Sequence, residues 1–433
     1  MKSTFTFVDL FSGIGGFRIA LERCGGSCLG YSEIDDSATA TYNNNFINSI
    51  FEWKLGDITK VTSLPKPVDM ITGGVPCQSW SVAGKMKGFE DPRGRLWYDA
   101  IRLVKTNQPK VFIFENVKGL ADPRNKQNLD LIIKELESAG YIVPKPQLLN
   151  SYDFGLPQNR ARIFIVGFRK DLILKKQFSY PRPISKTPVL SSFIEGIKNT
   201  NNFKSIIDPK ILFEGKIPVS RNKFQKVDEL NDFFVFCDTR NGHSTVHSWD
   251  ISESTKREKE ICMTILKNRR KKIYGDRDGN PLSFQDIKEL LPNIEMIELE
   301  KLVQRKILKK VSDKFEMVNS KNSSGINGIY RVFLPNSNIF STLTATGTRD
   351  FIALESIHAE TPEEFKEVFV NQIYKKNKYR LITPREAGRL QGFGDNFKPY
   401  PSSSLAMKQF GNAVSVNVVE ALANEIIKTG IFE

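Results

Sequence analysis

Cysteine pairs, histidine and long apolar runs are what this chain of 433 residues lacks. No stretch of about 18 apolar residues occurs, so no membrane-spanning helix is expected. The five cysteines, Cys24, Cys28, Cys77, Cys237 and Cys262, are odd in number and far apart. That usage fits a reducing cytoplasm and speaks against a disulfide framework. Cys24 and Cys28 have no histidine or second cysteine pair nearby and read as helix-end core. The three histidines, His243, His247 and His358, make no common zinc spacing with Cys237 and Cys262, so no metal is expected. Met1 to Asp9 leads straight into a strand-like segment without the apolar core of a secretory signal, so a cytoplasmic location is expected.

Acid is the scarcer charge. Lys and Arg number 63 against 49 Asp and Glu, a formal net charge of +14. An excess of that sign points to a polyanionic partner, nucleic acid first, because neutralising phosphates releases counterions. The densest basic cluster, Lys267-Asn268-Arg269-Arg270-Lys271-Lys272, lacks the apolar face that would anchor it to a membrane.

The length suggests two or more domains. Up to about residue 170, short apolar runs alternate with amphipathic stretches. Phe5–Phe11, Ser27–Ser32, Val68–Thr72, Val111–Phe114 and Arg162–Gly167 read as strands. Gly16–Cys24 begins a helix, and Leu129–Ala139 is another, with Leu129, Ile132, Ile133 and Leu136 on one face. This alternation predicts an α/β fold, a doubly wound and mainly parallel sheet with helices on both faces. From Tyr180 prolines and asparagines break the rhythm, and residues 180 to 340 read as a separate, smaller and irregular recognition domain. Within it Leu282–Leu308 looks helical, and Val414–Lys428 reads as a closing helix.

Asp9-Leu10-Phe11-Ser12-Gly13-Ile14-Gly15-Gly16-Phe17 is a strand, a glycine-rich turn and a helix start, which together can receive a ligand on free N–H groups. A dinucleotide fingerprint would require a third glycine where Arg18 stands. Phe11 suits a stacked base better than a pyrophosphate. Glu33 follows the second strand about 20 residues on, where an acid holds ribose hydroxyls, and Asp57 is placed to accept from an adenine amino group. Singly, either acid reads equally as a solvated loop residue. In this order they fit a nucleoside cofactor that needs no phosphate grip, S-adenosylmethionine.

The segment Gly73-Gly74-Val75-Pro76-Cys77-Gln78-Ser79-Trp80 puts a thiol just past a strand end, at the edge where open α/β sheets bind ligands. Such a cysteine is either a nucleophile or a small buried hydrophobe. Ser81 to Tyr98, with Gly84, Gly88, Gly94, Lys85, Lys87, Arg93 and Arg95, reads as a mobile basic loop able to close over nucleic acid.

Taken in order, the Asp9–Phe17 turn, Glu33, Gly56-Asp57, Pro76-Cys77-Gln78, Glu115-Asn116-Val117, Gln158-Asn159-Arg160-Ala161-Arg162, Arg380–Glu386 and Gln409–Val414 resemble the DNA cytosine-5 methyltransferases. The resemblance covers nearly everything outside residues 180–340 and extends to bacterial restriction-modification enzymes. It implies a Rossmann-like, S-adenosylmethionine-dependent catalytic domain of residues 1–180 plus 400–433, and a target-recognition domain of residues 181–399. Phe11, Ser12, Gly13, Ile14, Gly16, Glu33, Ile34, Asp57, Ile58, Pro76, Leu96 and Asn412 would hold the cofactor. Cys77 would attack cytosine C6, making C5 nucleophilic towards the methyl group. Glu115 would share a proton with N3, Arg162 with Arg160 would support charge at the ring, and Asn116 would hold the turn at Pro76-Cys77. A base that removes the C5 proton is not identified. Gln78, Lys85, Lys87, Arg93, Arg95 and Thr342 would contact the nucleic acid. Ala83 departs from the pattern, since relatives often carry serine there.

C5 is inaccessible inside a duplex, so the cytosine must be flipped out. The expected partners are double-stranded DNA and a cognate restriction endonuclease, with the enzyme a monomer and no membrane involved. A tRNA cytosine-5 methyltransferase of the same fold is the nearest rival, and a non-catalytic DNA-binding relative is a remoter one. The large 180–340 insert favours DNA. An amino-methylating enzyme would need Asp/Asn-Pro-Pro-Tyr/Phe in place of Val75-Pro76-Cys77-Gln78.

Overall fold

A computed structural model of the chain describes residues 5–46, 51–76, 94–184, 188–197, 234–237, 245–277, 279–318, 329, 331–335, 337, 339–346, 350–357 and 362–433. The chain divides into two compact units: residues 1–188, 341–347 and 383–433 form the first, and residues 189–340 and 348–382 the second. The 383–399 stretch, expected to belong with the recognition domain, therefore packs with the first unit.

The first unit starts with β1 (Phe5–Leu10), α1 (Gly16–Arg23), β2 (Gly26–Ser32), α2 (Asp36–Asn45), β3 (Trp53–Lys54) and β4 (Met70–Gly74). It continues with α3 (Leu96–Asn107), β5 (Val111–Val117), α4 (Lys126–Ser138), β6 (Tyr141–Ile142), β7 (Gln147–Asn150) and β8 (Ala161–Arg169). The strands form one sheet in the order β3-β2-β1-β4-β5-β8-β6, with β7 also pairing with β8. Strands β1 to β5 are mutually parallel, while β8 runs antiparallel to β5 and to both of its other neighbours.

Both faces of the sheet are covered, which is why its strands carry apolar residues in succession rather than in alternation. On one face Val8, Leu10, Ile71, Phe112 and Phe114 bury against Trp97, Ala100, Leu103 and Val104 of α3 and Ile132 and Leu136 of α4. On the other, α1 packs on the closing helix Val416–Ile427, and Phe5 stacks on Phe432 with centroids 4.6 Å apart. The order reverses between β1 and β4, so the β1 and β4 carboxyl ends flank a crevice where such sheets take ligands.

In the second unit, β9 (Phe234–Cys237), β10 (Thr245–Val246), β14 (Arg331–Phe333), β15 (Asp350–Ala353) and β16 (Tyr379–Arg380) form one sheet, ordered β10-β9-β14-β15-β16. β11 (Leu282–Ser283), β12 (Leu308–Val311) and β13 (Lys314–Met317) form another, ordered β11-β13-β12. The single helix expected over Leu282–Leu308 is in fact two, Phe284–Leu290 and Met296–Gln304, with a strand beginning at each end of the stretch. Pro292 explains the break. It has no N–H to continue the first helix, and it drives the preceding Leu291 to an extended ψ of 82°.

Candidate active site

The turn between β1 and α1 is built on left-handed backbone. Phe11 has φ 54°, Gly13 55° and Gly15 87°. Gly15 caps α1, and a Cβ there would lie 2.4 Å from the Phe46 ring, so only glycine lets the helix start beneath that aromatic. Arg18, found where a dinucleotide site has its third glycine, is buried. It pairs with Glu22 at 2.8 Å and Glu52 at 2.7 Å, donates to the Tyr42 hydroxyl at 3.0 Å and lies over Phe46 at 4.2 Å. That arginine thus fixes the wall against which the glycine turn packs.

Glu33 leaves the end of β2 and folds over the same turn. One carboxylate oxygen accepts from Gly13 N at 2.8 Å, the other from Ile34 and Asp35 N, both at 2.8 Å. Ile34 beside it is 75% exposed despite being apolar. Asp57 accepts from the Thr59 amide at 3.0 Å and hydroxyl at 2.8 Å, capping the short helix that begins at buried Ile58. Those bonds hold its carboxyl below the usual range. Phe11 and Leu96 pack on the edge of the α3 core. Val414 presses on Gly16, where a Cβ would meet it at 2.9 Å, so exposed Asn412 lies two residues from the foot of the glycine turn.

These residues suit a nucleoside cofactor by three observations. The space a Cβ would take at Gly13 is open, with no atom of the described residues beyond its chain neighbours within 4 Å. The buried hydroxyl of Ser12 has no hydrogen-bond partner among the described residues, and Ile34 leaves a bare apolar side chain for a base. Below the turn, Asp9 is wholly buried. Its Oδ1 takes the Thr72 hydroxyl at 3.3 Å, and its Oδ2 makes no well-formed hydrogen bond among the described residues. Burial pushes its carboxyl up to about 8, against the opposing pull of Thr72 and the Arg18 charge.

Cys77, Gln78, Lys85, Lys87 and Arg93 lie outside the described residues. What is described is the frame that leads to Cys77. At the carboxyl end of β5, Glu115 pairs in register with Gly74 of β4, and a Cβ on Gly74 would sit 3.5 Å from the Glu115 carboxylate. The next residue, Asn116, donates from its side-chain amide to Val75 O at 3.0 Å, two residues before the cysteine. Antiparallel pairing of β8 with β5 brings Arg162 alongside, its Nε 3.0 Å from Glu115. Burial raises the Glu115 carboxyl above its ordinary value, while Arg162 and then Arg160 pull it back.

Arg160 differs from its expected place at the ring. Its guanidinium is buried and donates to Leu343 O at 2.9 Å, Gly411 O at 3.1 Å and Ala413 O at 2.7 Å. It clasps three backbone segments that are far apart in sequence. Gln158, a motif residue to which the sequence assigns no role, works beside it, donating to Leu390 O at 2.8 Å and accepting from Leu343 N at 3.2 Å. Thr342, expected to contact nucleic acid, gives its hydroxyl to Asn159 O. Arg95 is exposed at the N-cap of α3, so helix replaces the expected loop from Leu96 onward. In the second unit His247 stacks on Trp249 at 4.0 Å and hydrogen-bonds Asp250 at 3.2 Å, while Cys262 is buried core. Among the described residues no helix is long and apolar enough to cross a membrane.

An open sheet with a glycine turn, an acid at the second strand end and a buried acid–arginine pair joining β5 and β8 defines the class as a methyltransferase fold. The Dnmt2 methyltransferase of S. pombe shares it with a TM-score of 0.53 at 13% identity, covering 98% of each chain. The profile of the C-5 cytosine-specific DNA methylases matches residues 5–428. Type II methyltransferase M.HgiBI of Herpetosiphon aurantiacus is 46% identical over 431 residues, covering 99% of this chain and 98% of its own. M.HgiCII of the same organism is 44% identical over the same coverage. The chain belongs to the C-5 cytosine-specific DNA methylase family and is a DNA cytosine-5 methyltransferase of the type II kind.

Proposed function

We propose that the chain methylates C5 of a flipped-out cytosine within a specific duplex DNA sequence through a transient Cys77–C6 bond. The observation that carries this reading is the buried Glu115–Arg162 pair, set over the strand end that leads through Val75 and Pro76 to Cys77. Cys77 thiolate adds to C6, and its electron pair makes C5 enamine-like. Glu115, its proton affinity raised by burial, holds a proton at N3 as negative charge develops in the ring. Arg162 faces the base's O2 and keeps Glu115 oriented. Asn116 fixes the turn, and Arg160 acts through the backbone it clasps rather than on the base. S-adenosylmethionine, when bound, supplies the electrophilic methyl group. Phe11, Ile34, Pro76 and Leu96 would flank its base, Glu33 its ribose, Asp57 and Ile58 its adenine edge, and Ser12, Gly13, Ile14, Gly16 and Asn412 its remaining length. Loss of the C5 proton lets the thiolate leave.

We assign Gln78, Lys85, Lys87, Arg93 and Arg95 to the DNA. The type II names of the relatives support a DNA-modification role, and we assign it a cognate endonuclease as partner, with the chain acting in the cytoplasm as a monomer. The test uses labelled S-adenosylmethionine with duplex DNA and with tRNA. Label at cytosine C5 of DNA is expected, together with turnover lost and cofactor binding kept in Cys77→Ser. Methylation of tRNA with none of DNA would sink the DNA reading.

A further inference from the structure

Residues 256–317 of the second unit follow an order of elements that the catalytic reading does not use. Helix Lys256–Asn268 is followed by β11, helix Phe284–Leu290, helix Met296–Gln304, and the hairpin β12–β13. The three strands are antiparallel with β13 in the middle. This is the connectivity of a winged helix-turn-helix: one supporting helix, two helices across a short turn, and a hairpin wing. The stretch has its own core, in which Ile261, Ile265, Ile287, Leu299, Leu302 and Phe315 meet. None of these residues belongs to the core that Val332, Phe365 and Phe369 form elsewhere in the unit.

The second helix of the pair buries Leu299 and Leu302 and turns Ile297, Lys301 and Gln304 outward. Ile297 is 63% exposed, more than core packing of a well-formed helix would leave. The acids of this helix are already engaged: Glu298 with Arg257 at 2.9 Å, and Glu300 with Lys310 at 3.3 Å. Lys301 lies 3.7 Å from Glu258, whose closer partner is Arg305 at 2.6 Å. The wing turns tightly at Ser312, φ 57°, between Lys310 and Lys314. From Lys256 to Val318 the sequence carries sixteen Lys and Arg against eleven Asp and Glu, so the module is basic as a whole.

We propose that residues 256–317 dock on duplex DNA, with helix Met296–Gln304 presented to the major groove and the β12–β13 wing to the phosphate backbone. The inference rests on the reading of this chain as an enzyme of duplex DNA. A major groove about 12 Å wide admits one helix, and the second helix of such a pair reads bases with its outward side chains. Ile297 offers an apolar contact of the kind a thymine methyl accepts, and Gln304 the paired donor and acceptor that fit adenine. Lys314, and Lys310 on exchanging its Glu300 partner for a phosphate, are point charges for phosphates, which set affinity rather than sequence.

The experiment compares full-length wild type with two double variants, Lys310→Gln/Lys314→Gln and Ile297→Ser/Gln304→Ala. It measures DNA affinity against salt, positions methylated by bisulfite sequencing, cofactor affinity and melting. The lysine variant should bind all duplexes several-fold more weakly and lose roughly two units of salt slope, one per phosphate contact. The helix variant should keep melting and cofactor affinity but lose about ten-fold discrimination at one or two base pairs of the site. Wild-type affinity, salt slope and methylation profile in both variants would overturn the inference. So would a wild-type dimer that Ile297→Ser/Gln304→Ala dissociates without touching DNA binding, since the helix would then face a second copy. A wild type that methylates no duplex at all would overturn the reading beneath it as well, which separates the two failures.

Discussion

Arg162 and Glu115 lie side by side on antiparallel strands, Nε to carboxylate 3.0 Å, both largely shielded from water. The arginine lowers and burial raises the proton affinity of the same carboxyl, and burial prevails. A carboxyl so placed keeps its proton to a higher pH than a free one.

If that proton is used in catalysis, Glu115→Gln should lower kcat by about 10²–10⁴, the usual range for a positioned acid, with cofactor affinity unchanged. Because the carboxyl's affinity for the proton is raised, wild-type activity that depends on the protonated form falls as pH rises through that raised value. Glu115→Gln should lack this alkaline decline. A kcat–pH profile of the variant parallel to wild type would contradict the assignment.

Arg160 should matter to the fold more than to the chemical step. Arg160→Ala leaves the carbonyls of Leu343, Gly411 and Ala413 without their donor, and each buried acceptor so stranded costs about 1–3 kcal/mol. Urea unfolding should show a markedly lower midpoint. An unchanged midpoint with lost turnover would return Arg160 to the ring.

Gly13→Ala separates backbone from ligand. Apart from its chain neighbours, nothing among the described residues stands within 4 Å of the new Cβ, so the cost to folding is that of a left-handed alanine, about 1–2 kcal/mol. The methyl group would enter the space assigned to the cofactor. Equilibrium dialysis should find S-adenosylmethionine bound at least ten-fold more weakly, with melting lowered by only a few degrees.

Asp9 should make stability depend on pH. Its folded carboxyl titrates near 8 against an ordinary value of 3.8. Between those values the folded chain binds more protons than the unfolded one, so its contribution to stability falls as pH rises across that window. Thr72, Arg18 and Glu33 face it and remain in place in Asp9→Asn. The variant should therefore gain on wild type between pH 5 and about 8 in urea midpoints. Parallel profiles would show that Asp9 does not titrate as its burial requires.

Much of the catalytic unit is legible in the sequence because its signals are local. Runs such as Val111–Phe114 declare a buried strand, and glycines at 13 and 15 declare a turn, before any partner is known. The 282–308 segment is less legible, since its apolar spacing alone reads as one helix and runs straight across Pro292. The placement of residues 383–399 is equally hidden, because it depends on what Gln391 and Leu390 touch: the Phe410 carbonyl accepts from the first, and the second accepts from Gln158.

By itself the sequence determined the chemical inventory: one thiol after a strand end, an acid after the next strand, paired arginines, and a glycine turn in the order of a cytosine-5 methyltransferase. Only the tertiary structure decided how that inventory is shared out. Arg160 and Arg162 stand two residues apart with the same charge. β8 lays the second along Glu115, while the first, in the turn before the strand, goes to three backbone carbonyls. Charge and motif are properties of a sequence. The partner that each charge meets is fixed by which strands pair and what they bury.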